Sequence, residues 1–286
     1  MNGIINVNKP KGITSFDVIR KLRKILSLRK IGHTGTLDPL AEGVLLVCVG
    51  KATKLAQDIE AHSKEYIAEF ELGYKTDTYD IEGTVIDKVE DFSVTREKLL
   101  EVINTFLGNI KQIPPMYSAI KVNGQKLYDL ARKGETIERE ARDIFIESIE
   151  LLEFDGKKAK IKCSVSKGTY IRSLIYDIGE KLGTFAVMTS LVRTKVGGEE
   201  TIDKSFTLSE IENLKNEGKE NFITSVEDYF TYPKINIEGE KNRTLFLNGN
   251  TLIFNGEDGM KRVYENDKFL GLASLKYNRL KGYKYY

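Results

Sequence analysis

The spacing of the apolar residues changes along this 286-residue sequence, and that change constrains the fold more than any other feature. Up to about residue 228, segments that alternate like β-strands are interleaved with segments whose apolar residues recur at helical intervals. From Phe230 onward, short strand-like segments are separated only by turns. We therefore predict an α+β protein with a large domain at residues 1–228 and a small all-β domain at residues 229–286.

The same periodicity predicts individual elements. Two capping-box spacings, Thr14 with Asp17 and Thr207 with Glu210, mark the starts of helices. The unbroken apolar run from Val44 to Val49 predicts a buried strand. The predicted strands are residues 3–7, 44–49, 66–72, 159–165, 234–237, 251–254, 262–264 and 269–275. The predicted helices are residues 15–28, residues 95–107, a segment that contains Leu174 to Leu182, and a segment from Thr207 to about Gly218.

The composition indicates a soluble globular protein. Hydrophobic residues make up 41% of the sequence and charged residues 30%, a balance that excludes a mostly disordered or collagen-like chain. No apolar run approaches the roughly 20 residues of a membrane-spanning helix, and the first residues lack the basic and then apolar segments of a signal peptide. We expect a cytoplasmic protein with no membrane partner.

Few side chains in this sequence are suited to holding a metal ion. The two cysteines, Cys48 and Cys163, are far apart in the sequence, and the two histidines are His33 and His62. No CxxC or HxxxH spacing occurs, so we expect neither a metal site nor a disulfide. Neither a GxGxxG nor a Walker A motif is present, so the sequence also gives no signal for a nucleotide cofactor.

The charged residues are unevenly distributed. The formal net charge is only +2, yet residues 1–64 contain eleven lysines and arginines against five acids, and residues 229–286 contain ten against six. Two basic ends around an acidic centre suit a partner whose phosphates are held at two places, such as a nucleic acid. For the cations between Arg20 and Lys30, the alternative is an ordinary solvated helix face.

The segment from Gly32 to Gly43 contains the strongest candidate for chemistry. Its three glycines in twelve residues allow a tightly turned loop, and Asp38 stands directly before Pro39. The alternative is that Asp38 caps a helix whose first residue is Pro39. A carboxyl group, with an ordinary pKa of about 3.9, is already an anion at neutral pH and can act as a nucleophile without a partner base.

A nucleophilic carboxylate must remain charged when a substrate covers it, although desolvation favours the neutral form. A nearby guanidinium opposes this effect. Arg172 is the candidate, because it stands at the start of a predicted helix, where the helix dipole disfavours a cation. The alternative is an exposed arginine. Tyr66 and His33 are further candidates, and their alternatives are a half-buried strand residue and a hydrogen-bonded loop histidine.

Six motifs occur in the same order as in a known protein family. They are Asn8-Lys9-Pro10 with Gly12, Thr14 and Ser15; Gly32-His33-Thr34-Gly35 running to Leu37-Asp38-Pro39; Lys64 with Tyr66; Thr76-Asp77-Thr78 with Asp80; Pro115 with Tyr117-Ser118-Ala119 and Lys121; and Lys167-Gly168-Thr169-Tyr170-Ile171-Arg172. Together they cover roughly residues 5–195 and resemble the bacterial tRNA pseudouridine-55 synthases, the TruB family. The C-terminal segment resembles the PUA-like RNA-binding domain of that family only loosely.

The resemblance implies a pseudouridine-synthase catalytic core, which is a mixed, largely antiparallel sheet flanked by helices. Residues 113–142 would be a thumb-like insertion that folds over the RNA, and residues 229–286 would be the PUA-like domain. The implied activity is isomerisation of uridine 55 in the TΨC stem-loop of tRNA, without a metal or a cofactor. Members of the family are generally monomers.

By motif match, the resemblance also implies roles for individual residues. Asp38 would be the catalytic nucleophile, Arg172 would pair with it, and Tyr66 would pack on the flipped-out base and take part in proton removal. Lys9 and Pro10 would support the catalytic loop, and His33 would stack in the RNA loop where bases have been displaced. Asp80 would contact RNA or the active-site rim, and Lys121 and Tyr170 are further expected substrate-binding or RNA-binding residues.

Two functions of other classes remain open from the sequence. In the first, the same fold binds tRNA as an RNA-binding or chaperone module, and Asp38 is only a helix cap. In the second, Asp38, Asp77 and Asp80 form the site of a metal-dependent nuclease, whose activity a chelator would abolish.

Overall fold

A computed structural model describes residues 1–122 and 124–286 of the chain. The α-helices are α1 (Ser15–Ile25), α2 (Ala56–Glu60), α3 (Arg96–Asn104), α4 (Leu127–Ala131), α5 (Ile171–Leu182), α6 (Leu208–Asn216), α7 (Val226–Tyr229) and α8 (Glu240–Leu247). Two short 3₁₀-helices span Gly50–Leu55 and Ile202–Lys204. Within these described residues, no helix is long and apolar enough to cross a membrane.

The strands form two large sheets and two small hairpins. They are β1 (Gly3–Lys9), β2 (Ile31–His33), β3 (Glu42–Val49), β4 (Lys64–Leu72), β5 (Tyr74–Thr76), β6 (Val85–Lys88), β7 (Gly108–Gln112), β8 (Lys121–Val122), β9 (Gln125–Lys126), β10 (Arg142–Phe154), β11 (Lys158–Val165), β12 (Ala186–Val196), β13 (Glu200–Thr201), β14 (Lys234–Asn236), β15 (Thr251–Ile253), β16 (Gly259–Glu265), β17 (Lys268–Lys276) and β18 (Arg279–Tyr285).

Local sequence signals account for the helix starts. Both predicted capping boxes form, at Thr14 with Asp17 and at Thr207 with Glu210. Helix α1 ends at Ile25, earlier than the predicted residue 28, because Ser27 adopts a left-handed conformation with a φ of 52°. The end of a helix is therefore set by a backbone conformation that the apolar spacing does not show.

The large sheet is mixed and largely antiparallel, as the resemblance implies. Its strand order is β1-β3-β12-β4-β11-β10-β7, with β2 added beside β3 and β13 beside β12. Strands β3 and β12 are parallel, and the other strand pairs recorded in this sheet are antiparallel. Strands β10 and β12 were not predicted from the sequence, because irregularities in their pairing disturb the period of two that marks a strand.

Strand β3 is buried on both faces, as its unbroken apolar run predicts. One face of the sheet packs against α1, α3, α5 and α6, and the other packs against α2, the first 3₁₀-helix and the C-terminal region. Alternate residues of β3 join the two cores: Leu45, Val47 and Val49 on the helix side, and Val44, Leu46 and Cys48 on the other. This arrangement holds the sheet between two packed layers.

The C-terminal region forms a second sheet with the order β14-β16-β17-β18-β15. The four predicted strands are present, while β18 and α8 were not predicted. Helix α8 follows Gly239 with no side-chain cap, so it lacks the start signal that marks α1. Apolar and polar contacts join this sheet to the large one. Phe230 and Leu272 pack in the same core as β3, and the Tyr283 hydroxyl donates to the Asp58 carboxylate.

Candidate active site

A cleft of about 1200 Å³ lies where the Asp38 loop, the start of α5 and the 113–142 stretch meet. Five residues that the sequence analysis selected line this cleft together: Asp38, Tyr66, Asp80, Tyr170 and Arg172. They come from four separate segments of the chain, so the fold of the large sheet is what brings them into one place.

The backbone around Asp38 is a turn and not a helix start. The Ala41 N–H donates to the Asp38 carbonyl at 3.1 Å, and strand β3 begins immediately afterwards at Glu42. The interpretation of Asp38 as a helix cap is therefore wrong. The predicted loop begins at Gly32, but Ile31–His33 pair with β3 as strand β2. The loop therefore begins after His33.

Helix α1 fixes one side of the Asp38 turn. The Ser15 hydroxyl donates to the Leu37 carbonyl at 3.0 Å and accepts from the Leu37 N–H at 2.8 Å. Ser15 is the first residue of α1, so the start of the helix and the residue before Asp38 are held as one unit. This contact is between residues far apart in sequence, and no sequence signal identified Ser15 as a positioning residue.

Lys9 fixes the other side of the turn from within the protein. Its side chain is 0% exposed, and its ammonium group donates to the carbonyls of Pro10 at 3.0 Å, Pro39 at 3.5 Å and Ala41 at 2.5 Å. Burial lowers the pKa of Lys9 to about 8, against the opposing effect of nearby carboxylates. Lys9 therefore supports the turn that carries Asp38, and its buried ammonium group is bonded to protein carbonyls.

Arg172 is the buried centre of the site. Its guanidinium lies 2.9 Å from a carboxylate oxygen of Asp38 and 3.6 Å from one of Asp80, and it donates to the carbonyls of Thr78 at 2.9 Å and Tyr117 at 2.8 Å. The arginine side chain is 5% exposed, while that of Asp38 is 36% exposed. The cation at the start of α5 is thus paired with two carboxylates, and only Asp38 of these groups is open to a ligand.

Asp80 is the second carboxylate beside the Arg172 guanidinium. It is 4% exposed, and its carboxylate accepts from the Thr78 hydroxyl at 2.6 Å and from the Glu82 N–H at 3.0 Å. Burial raises the pKa of Asp80, although the Thr78 hydrogen bond and the Arg172 charge oppose the increase. These contacts favour a role in orienting Arg172 over the expected contact with RNA.

Tyr66 and Tyr170 are the two tyrosines selected from the sequence that line the cleft, which Tyr117 and Tyr128 also line. Tyr66 projects from β4 at the register position between Cys163 and Arg193, and it is largely buried in the wall of the cleft. Tyr170 immediately precedes α5, and burial raises its pKa. The buried Gln112 holds it from β7, because its amide donates to the Tyr170 carbonyl at 3.0 Å and accepts from the Tyr170 N–H at 2.8 Å.

The remaining predicted residues lie elsewhere. His33 is in β2 and is not among the described residues that line the cleft; burial lowers its pKa, and its Nδ1 atom is buried without a hydrogen-bond partner. Pro10 is exposed and offers its carbonyl to Lys9. Lys121 begins β8, but its side chain lies outside the part of the chain that the structure describes, so its expected RNA contact stays a prediction.

The geometry does not support the nuclease alternative. The Arg172 guanidinium lies between Asp38 and Asp80, and the Asp77 carboxylate accepts from the Thr84 N–H at 2.8 Å. Across residues 1–122 and 124–286, no group of three or more potential metal-ligating side chains occurs. The three aspartates are therefore not arranged as one metal site.

The fold resembles that of a protein in a solved structure with bound RNA. The chain matches a protein in the structure of an H/ACA ribonucleoprotein bound to a substrate RNA containing 2′-deoxyuridine, with a TM-score of 0.72 and 26% identity. The match covers 99% of this chain and 84% of that one. This fold places the protein in the class of the pseudouridine synthases. Its cleft holds a buried arginine beside a half-exposed aspartate.

Sequence comparison identifies the family. Residues 23–171 match the TruB family pseudouridylate synthase N-terminal domain, and residues 172–230 match the tRNA pseudouridylate synthase B C-terminal domain. The chain is 57% identical over its whole length to the tRNA pseudouridine synthase B of Fusobacterium nucleatum, covering 100% of both chains. It is 47% identical to that of Clostridium tetani, covering 96% of this chain and 95% of the relative. The chain belongs to the TruB family of pseudouridylate synthases.

Proposed function

We propose that this protein isomerises uridine 55 in the TΨC stem-loop of tRNA to pseudouridine, with Asp38 as the nucleophile. The observation that carries the proposal is the 2.9 Å pair between Asp38 and the buried Arg172 at the wall of a cleft large enough for a nucleotide. The names of the relatives, tRNA pseudouridine synthase B, support tRNA as the substrate.

The reaction needs a group that keeps the uracil from escaping. The bond between uracil N1 and ribose C1′ breaks, the base turns, and C5 bonds to C1′; the C5 proton is lost and N1 gains one, so no oxidant or reductant is required. Asp38 can hold the intermediate through a transient bond to either a ring carbon or the sugar carbon, because its carboxylate is half-exposed and faces the cleft. Release of that bond regenerates the enzyme.

Arg172 stabilises the negative charge of the Asp38 carboxylate when the base covers it. Covering Asp38 removes water from its carboxylate and would favour the neutral acid, which is not nucleophilic. The guanidinium at 2.9 Å opposes this change, and it is itself locked by the carbonyls of Thr78 and Tyr117 and by Asp80. The charge is therefore present before substrate arrives, which avoids reorganisation during the reaction.

The aromatic side chains compensate for extruding the base. Taking a uridine out of its stack costs a few kcal/mol, and stacking on an aromatic ring returns about 1 to 3 kcal/mol per base. Tyr66 and Tyr170 line the cleft beside Asp38 and supply such surfaces. Proton removal from C5 is the proposed second role of Tyr66.

The rest of the chain would hold the RNA. The exposed side chains of Arg132, Arg142 and Lys167 line the cleft and suit phosphates. The 113–142 stretch has its own small core around Met116 and Leu127 and contributes to the cleft wall, as a thumb over the RNA loop would. Residues 229–286 would be an RNA-binding domain attached to the catalytic domain at residues 1–228, and the protein would act as a monomer in the cytoplasm.

Incubation of the protein with an unmodified tRNA transcript, followed by chemical or mass mapping of pseudouridine, tests the proposal. We expect stoichiometric pseudouridine at position 55 and an unmodified remainder of the transcript. A transcript that is bound but stays unmodified would contradict the proposed activity. A product at another position would contradict the proposed substrate site.

A further inference from the structure

The first turn of α1 presents an exposed aromatic ring at the mouth of the cleft. Phe16 is 59% exposed, whereas Val18, Ile19 and Leu22 of the same helix are buried in the core. Phe16 also belongs to the residues that line the cleft containing Asp38. The ring is therefore accessible to a ligand that enters the cleft.

The position of this ring relative to Asp38 is fixed. Ser15, the residue before Phe16, exchanges two hydrogen bonds with the backbone of Leu37, the residue before Asp38. The capping box of Thr14 and Asp17 holds the same turn of the helix. A group that contacts Phe16 is therefore held at a defined place relative to the nucleophile.

The surroundings of the ring are cationic. The exposed residues Arg20, Lys21, Arg23 and Lys24 follow on the same helix, and the guanidinium carbon of Arg23 lies 5.8 Å from the centre of the Phe16 ring, over one of its faces. The acid of this turn, Asp17, is already bound to Thr14 and Arg20. Arg20 is therefore paired, and the exposed residues Lys21, Arg23 and Lys24 supply the positive charge beside this flat apolar surface. The combination suits a ligand that is both flat and anionic, such as a nucleotide.

We propose that Phe16 is a positioning residue that stacks on a second base of the RNA loop, one that stays outside the cleft when the target uridine enters it. This inference rests on the proposed function. Stacking at Phe16 would add to the affinity of the protein for the loop, while the neighbouring arginines and lysines hold its phosphates. Phe16 takes no part in bond making, so its contribution lies in RNA binding.

Three substitutions separate stacking from simple apolar contact. We expect Phe16→Ala to raise the Kd for a T stem-loop RNA about 10-fold, which corresponds to about 1.4 kcal/mol. Phe16→Tyr keeps an aromatic face and should bind within about twofold of the unaltered protein, whereas Phe16→Leu should lose about fivefold or more. The single-turnover rate at saturating RNA should change less than about twofold in all three, because the Asp38 turn is untouched.

A fluorescent base shows the contact directly. With 2-aminopurine replacing one loop nucleotide at a time, excluding the target uridine, one position should be quenched on binding to the unaltered protein and to Phe16→Tyr, but not to Phe16→Ala. Phe145→Ala removes an exposed ring of β10 that is not among the described residues lining the cleft, and it should leave the signal unchanged.

The inference is overturned if Phe16→Leu or Phe16→Ala binds like the unaltered protein, if no loop position loses its quenching, or if the rate falls while Kd stays constant. Binding and fluorescence do not require turnover, so they decide the role of Phe16 even if no pseudouridine forms. Absence of product from the unaltered protein would instead contradict the proposed function. Circular dichroism confirms that each variant is folded, as expected for a side chain with few buried contacts.

Discussion

The carboxylate of Asp38 and the guanidinium of Arg172 lie 2.9 Å apart, and only the aspartate is substantially exposed to the cleft. The arginine is held by Asp80 and by two backbone carbonyls, so it cannot follow the aspartate if the latter moves. The pair therefore consists of a fixed cation and an accessible anion, which is the arrangement that a carboxylate nucleophile requires when substrate excludes water.

Arg172→Ala should slow catalysis far more than it weakens binding. Without the guanidinium, the Asp38 carboxylate loses the cation that pairs with it and fixes its position, and we expect kcat to fall about 100-fold or more. The Kd for tRNA should change less than about threefold, because Arg172 is buried and its bonds are to protein groups. Single-turnover kinetics and filter binding measure the two quantities.

The same substitution also leaves Asp80 buried without its charged partner, so a matched variant is needed. Arg172→Lys retains the charge but not the forked contact to two carboxylates and two carbonyls, and it should give an intermediate kcat in a stably folded protein. An equal loss of affinity and rate in both variants would mean that Arg172 contacts a phosphate.

Lys9 should make the free energy of unfolding increase with pH in the alkaline range. Its pKa is lowered from the usual 10.5 to about 8, so between these values the unfolded chain binds more protons than the folded one. The free energy of unfolding should therefore rise with pH in this window, by at most about 1.4 kcal/mol per pH unit from this group.

Lys9→Met isolates this contribution. The variant removes the side-chain donor from three carbonyls, of which Pro39 keeps the Gly12 N–H as a partner, and it should be less stable at pH 7 by about 1 to 3 kcal/mol. Because other titrating groups are common to both proteins, the difference in urea-unfolding free energy should grow as pH rises from 8 to 10. A difference that is independent of pH would show that the ammonium group is not destabilised by burial.

Gln112 is expected to matter for catalysis without contacting the substrate. Gln112→Leu removes both hydrogen bonds to the backbone of Tyr170, so the start of α5 loses its anchor to β7. We expect a loss of about 2 kcal/mol in unfolding free energy and a fall in kcat of about 10-fold. Asn109→Leu, at an exposed position of the same strand β7, is the control; equal effects of the two variants would contradict a positioning role.

Lys167 should act as a phosphate contact at the rim of the cleft. Its side chain is exposed and lines the cleft, so Lys167→Gln should weaken tRNA binding and lower the slope of log K against log salt by about 0.9. Lys157→Gln, at an exposed site paired with Glu71, should leave the slope unchanged. Affinities for tRNA measured between 50 and 200 mM salt test this contact. Equal slopes for Lys167→Gln and the unaltered protein would contradict it.

Local signals predicted the elements that depend on local physics. The capping boxes at Thr14 and Thr207 mark two helix starts, and the apolar run 44–49 indicates a strand buried on both faces. The irregular strands β10 and β12 were missed because bulges interrupt their alternation, and α8 was missed because it has no side-chain cap.

The candidate site likewise contains residues that the sequence identified and residues that it missed. Asp38 and Arg172 were found because each is unusual where it stands, one on a turn before a proline and the other at the start of a helix. Ser15 and Gln112 were missed because their partners, Leu37 and the Tyr170 backbone, are remote in sequence. A hydrogen bond to a distant backbone leaves no spacing pattern.

Asp38→Asn provides the most direct test of the central claim. The amide is nearly isosteric with the carboxylate and should leave the turn and the fold intact, but it is not nucleophilic. Mass mapping of a tRNA transcript treated with the variant should show no pseudouridine at position 55, with a Kd for tRNA close to that of the unaltered protein. Pseudouridine formed by the variant would contradict the assignment of Asp38 as the nucleophile.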